Sequence, residues 1–203
     1  MNGFNHIAKN YVDNEHNLDL VARSVELARL AYELFIYISN LPAEIRQDTK
    51  KCRGIHTFIW EPNTDNLTLF PSGSPSKKAI ALSFEKAVRA NCFGHVSSAN
   101  SAKEVNMKYQ GALSARFDKR RIFVSVDSLK SEEDATISLL ILAYIFNVSP
   151  LEVMENIKIK RGQLPLELDH EGHYLYKLVR SDFHAFFRSV RERFSQVTIK
   201  RQR

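Results

Sequence analysis

Cysteine is nearly absent from this chain of 203 residues, with Cys52 and Cys92 the only two. Two isolated thiols exclude a disulfide framework and a paired-cysteine metal site, and they suit a reducing compartment. Long hydrophobic runs are missing too. The longest, Leu139 to Phe146, covers eight residues, whereas a membrane-crossing helix takes about 20. The start, Met-Asn-Gly-Phe-Asn-His, lacks the basic-then-apolar pattern of a secretory signal. Cytoplasm is therefore the expected location. Catalytic motifs are absent as well. Ser97 and Ser98 have no G-x-S-x-G elbow around them, and no triad or carboxylate pair is set by spacing. The chain is expected to bind rather than to catalyse, with an enzyme processing a small molecule as the weaker alternative.

What is present describes a globular core. The chain is 44% hydrophobic and 26% charged, enough for one domain of ordinary size plus an extension. Its net charge of +6 is unevenly placed. Residues 177–203 hold eight Lys and Arg against two Asp and Glu, so they carry the whole excess and residues 1–176 are neutral. Such asymmetry points to an acidic partner for the C-terminal stretch.

Hydrophobic periodicity orders the elements. Residues 1–16, rich in Asn, read as a loose lead-in. Leu18–Ile38 reads as a long helix with a broad apolar face, stopped by Asn40 and Pro42. Ile55–Trp60 and Leu67–Phe70 read as a hairpin around Pro62–Asn66. Ser74-Pro75 is read as a cap and first turn of a second helix to about Asn91, with Ile80, Phe84, Ala87 and Val88 inward. Gly111–Phe117 and Arg121–Val126 form a second hairpin. Ser131–Asp134 reads as a capping box opening a third helix to Phe146, with Ile137, Leu140, Ile141, Tyr144 and Ile145 inward. The predicted fold class is α+β: an antiparallel sheet of two hairpins with helices packed on it, in the order helix, hairpin, helix, hairpin, helix. This domain spans 17–147. A basic helical extension follows over 148–203, opened by a second capping box, Ser149 to Glu152.

Three stretches offer binding chemistry. Ser74, Ser76, Lys77 and Lys78 bring hydroxyls and ammonium groups to a helix N-terminus, an arrangement suited to an anion, although Walker spacing is missing. Ordinary capping explains the same residues. His170 and His173 have the spacing of a chelating pair for a transition metal, and they also read as a solvated turn. On the last predicted helix, Arg180, His184, Arg188 and Arg191 fall at intervals of four, four and three and share one face. Arg193, Lys200, Arg201 and Arg203 extend that positive field. Phe183, Phe186, Phe187 and Phe194 lie elsewhere around the helix. The basic stripe suits the phosphates of nucleic acid or another acidic partner, and it also suits a solubilising face.

Two stretches carry a family resemblance. KKAIALSFEKAVRANCFGHVSS over 77–98 and VSVDSLKSEED over 124–134 resemble the central helix and final strand of the HbpS/GlcG-like haem-binding, or "haem-degrading", domain family. The order of elements over 17–147 agrees. Ser128 stands where that family carries Gly, Gln110 replaces the first glycine of a pair, and Ala135 stands where a His is frequent. The resemblance implies an oligomeric binding domain and haem as its ligand. His95, at a helix C-terminus in the matching loop, becomes the candidate axial ligand, or a histidine held by the terminal carbonyls.

Overall fold

The computed structural model describes Leu20, residues 22–40, 52–64, 66–94, Ser98 and residues 111–157. Among them, helix α1 (Ser24–Ser39) buries Leu27, Leu30, Ala31, Leu34, Phe35 and Ile38. That stripe recurs every three or four residues, as one face of a helix must. Strands β1 (Gly54–Glu61) and β2 (Asn66–Gly73) form the first hairpin. Helix α2 (Lys77–Cys92) follows, then the hairpin of β3 (Ala112–Phe117) and β4 (Arg120–Asp127). Helices α3 (Ser131–Phe146) and α4 (Pro150–Ile157) complete the described fold.

The two hairpins join through β1 and β4, giving one antiparallel sheet in the order β2-β1-β4-β3. β1 is central and buried on nearly its whole length, whereas β2, at an edge, alternates buried and exposed. Helices α1 and α3 cover one face, packing on Ile55, Ile59, Phe70, Ile122, Val124 and Val126. Helix α2 covers β1, β4 and β3 on the other face, over Phe58 and Phe123. The α+β architecture expected from the periodicity is the observed one. Ile137, Leu140, Ile141, Tyr144 and Ile145 are all buried. The Ser149–Glu152 box also forms: Ser149 N–H donates to the Glu152 carboxylate and Glu152 N–H donates to Ser149 Oγ.

Three local expectations need correction. The cap of α2 is Ser76, whose Oγ accepts from Ala79 N–H at 3.2 Å. Ser74 instead donates its N–H to the Arg53 carbonyl, so it continues the end of the hairpin and Pro75 precedes the helix. Ile80 and Phe84 are not inward. The inward side of α2 is Ala79, Ser83, Lys86, Ala87 and Ala90, small enough to bring the helix close to the sheet and leave the larger side chains at its flank. At α3 the cap is Lys130, whose N–H donates to Glu133. Ser131 is already helical, and Asp134 is left to another role. The lead-in 1–16 and the extension beyond Ile157 lie outside the described residues.

Candidate functional site

Antiparallel pairing sets His56 of β1 directly opposite Asp127 of β4, on the face that α2 covers. Lys86 comes down from α2 onto this pair and is 1% exposed. Its Nζ lies 2.5 Å from Asp127 Oδ1 and 3.4 Å from Asp134 Oδ2, and donates to the Val126 carbonyl at 3.0 Å. Three acceptors meet the three donors of an ammonium group. Asp134, at the start of α3, also accepts from Leu129 N–H at 3.1 Å and so fixes the loop between β4 and α3. Gly111 makes room for the cluster. A Cβ there would stand 2.6 Å from Asp134 Cβ, and its φ of +114° favours glycine.

Burial dominates the electrostatics. It pushes Asp134 up to about 7, with the Lys86 charge opposing the rise and the neighbouring Asp127 adding to it. Near neutral pH the cluster therefore exchanges one proton. Burial also lowers His56, against the pull of Asp127. His56 Nδ1 is 2.6 Å from Ser83 Oγ, and that hydroxyl donates to the Ile80 carbonyl at 3.0 Å. A hydroxyl has one proton to give, so Nδ1 is the donor to Ser83 and carries the imidazole proton.

Above Asp127 lies a cleft of about 470 Å³. Arg53, Ser74, Ser76, Lys78 and Ser128 line it with Asp127. Ser128 adopts a φ of 131°, a conformation disfavoured for any side chain. Half-buried Cys52 also borders the cleft, its thiol donating to the Gly54 carbonyl at 2.9 Å. The resulting site has cationic and hydroxyl groups at its wall and a floor carboxylate neutralised from beneath by Lys86. Such a cavity suits a small polar ligand that brings negative charge.

Ser74, Ser76 and Lys78, chosen from sequence, thus meet in one cleft, while Lys77 is exposed and does not border it. Ser98 is buried; its Oγ accepts from Ala112 N–H and its carbonyl accepts from Arg89, which ties α2 to β3 rather than presenting a nucleophile. His95, His170, His173, Arg180, His184, Arg188, Arg191, Arg193, Lys200, Arg201 and Arg203 lie outside the described residues, as does Ser97. Sequence reasoning missed His56, Ser83, Lys86, Asp127 and Asp134. The available signal was the small stripe Ala79, Ser83, Lys86, Ala90, at intervals of four, three and four, which placed a lysine on a face otherwise fit only for close packing.

Haem does not fit the described cleft. Among the described residues that line it, a flat, largely apolar macrocycle meets apolar side chains at Leu82 and Leu129 besides Cys52, and meets no histidine. Among the described residues there is also no cluster of three or more His, Cys, Asp or Glu placed to hold a metal ion, and no helix is long and apolar enough to cross a membrane. Comparison with protein-family models, with curated proteins and with solved structures finds no match to this chain.

Proposed function

We propose that the chain is a non-enzymatic binding protein whose α+β core holds a small anionic ligand in the cleft above Asp127, and whose basic C-terminal stretch engages an acidic partner. The observation that carries the first part is the cleft itself. Arg53 and Lys78 border it, and Asp127, the one carboxylate among its described lining residues, is already paired with the buried Lys86. The HbpS/GlcG-like reading of the core rests on the sequence resemblance over 77–98 and 124–134, and the ligand that the cleft favours is smaller and more polar than haem. Isothermal titration with inorganic phosphate and with a dicarboxylate tests this. Saturable binding is expected, weakened roughly tenfold by Arg53→Gln or Lys78→Gln, since a charge-assisted hydrogen bond is worth about 1.5 kcal/mol or more. No binding of either anion at millimolar concentration would overturn the reading.

A second reading makes nucleic acid the partner of the tail, favoured by the concentration of all six units of net charge in residues 177–203. Phosphate binding releases counterions, so affinity should fall steeply with salt and show little sequence preference. Changing Arg188 and Arg191 together to Gln should flatten the salt slope by roughly two units, about one for each arginine removed from a phosphate. Fluorescence anisotropy of parent and double variant against unrelated duplexes measures it. Absence of binding by the parent at low salt removes nucleic acid and leaves an acidic protein surface as the partner.

A further inference from the structure

The flank of α2 and the edge of the sheet leave an apolar step uncovered. Leu67 and Leu69 on β2 are 45% and 54% exposed, and Ile80 and Phe84 on α2 are 45% and 51% exposed. The four belong to one surface. Leu69 lies opposite Phe58 in the ladder, and Phe84 packs edge-on against Phe58 with ring centroids 5.3 Å apart. Ile80 stands one helical turn from Phe84 on the same flank. Side chains of this size, each about half exposed, present on the order of 400 Å² of apolar surface, the size of the largest patch on an ordinary monomer, which is often functional.

The edge strand says what covers it. None of the eight residues of β2, Asn66–Gly73, is charged, so within the strand itself the devices that usually protect an edge reduce to Pro71. Proline has no N–H and is tolerated where the ladder donor would face away from the sheet. Alternation then turns the N–H and C=O groups of Leu67 and Leu69 outward as well. An antiparallel strand that repeats the same uncharged pattern satisfies them, and an acidic or basic partner finds no charge on β2 to pair with. We infer that β2 pairs antiparallel with β2 of a second copy of this chain, about a two-fold axis at Thr68. Each leucine then faces the other leucine of its neighbour, and the α2 flanks close over the seam. Two such faces contribute on the order of 800 Å² of apolar surface before the polar rim is counted, which approaches the roughly 1,200 Å² minimum of specific interfaces. This inference does not rest on the cleft, which lies at the other end of β2.

Sedimentation velocity of the full chain over a range of concentrations tests it, with Leu69→Lys and Ile80→Lys as single variants on two different elements. Both positions are half exposed, so circular dichroism should show the parent fold in each. The parent is expected to be a dimer, and both variants should dissociate at concentrations at least on the order of tenfold higher. A monomeric parent overturns the inference. So does a dimer that both folded variants retain, because its interface then lies elsewhere. If the parent is monomeric and Leu69→Lys alters hydrogen exchange within residues 183–197, the step belongs to the chain's own C-terminal stretch, which equally overturns pairing by a second copy.

Discussion

The ammonium group of Lys86 sits between two carboxylates in a place where any one of the three charges alone would be strongly disfavoured. Such a cluster is a costly way to hold α2 onto the sheet, because hydrophobic residues of the same volume would serve as well. Its contact with Asp127, which borders the cleft, would give it another use if the proposed ligand binds there, the neutralising of that carboxylate. The proton on Asp134 leads to a pH dependence. Its folded value of about 7 is raised above the ordinary 3.8, so the folded state holds this proton more tightly than the unfolded chain. The contribution to stability is complete below the ordinary value and is lost as pH rises towards 7. Lys86 and Asp127 face this carboxyl and His56 lies beside Asp127. His56 acts in the opposite sense, since its lowered value makes stability fall on acidification. Comparing the parent with Asp134→Asn by urea denaturation isolates the first group. The parent's stability relative to the variant should decline from acidic to neutral pH, and a difference that does not change with pH would contradict the buried, proton-sharing placement. None of this was legible residue by residue. Asp134 has the position expected of a box residue, but Glu133 performs that task, and sequence gives no view of the strand pairing that sets His56 against Asp127.

Elements were far more legible than the packing between them. Helix α3 shows why. From Ala135 to Ile145 every residue is buried, because α3 is enclosed by the sheet, α1 and α4. A helix apolar on nearly all sides has only one place to go, so its inward residues are safe to name from sequence. Leu140→Ala should cost about 2–5 kcal/mol in thermal or chemical denaturation, the range for a buried leucine that leaves a cavity. A cost under about 0.5 kcal/mol, typical of exposed sites, would contradict its place in the core. Helix α2 is the counter-example. Its periodicity shows an apolar stripe at Ile80 and Phe84 and a small stripe at Ala79, Ser83 and Ala87, and periodicity alone favours the larger one as the buried side. The sheet selects the small stripe because Phe58 and Phe123 already fill the space beneath the helix. The apolar stripe is left exposed at the flank of the helix. The same oversight explains the misplaced cap: Ser74 and Ser76 both have capping chemistry, and only the ladder bond of Ser74 to Arg53 decides between them.

At the scale of the whole molecule the surfaces divide by chemistry. One end of the sheet offers a polar cleft, the β2 edge offers an uncharged apolar step, and the sequence places the net positive charge in residues 177–203. The uneven placement of charge along the chain was readable from composition, since charge counts need no fold. The cleft was readable only in part, because it joins the linker around Arg53, the α2 start and the β4–α3 loop, three stretches that are distant in sequence. Those three stretches also provide its most direct test. A two-dimensional amide correlation spectrum of the labelled full chain, recorded through a titration with inorganic phosphate, reports each of them separately. Saturable shifts should gather at residues 53–54, 74–78 and 127–129, with Lys78→Gln reducing them. Shifts confined to the basic stretch 177–203, or none that saturate, would contradict the assignment of this cleft as the ligand site.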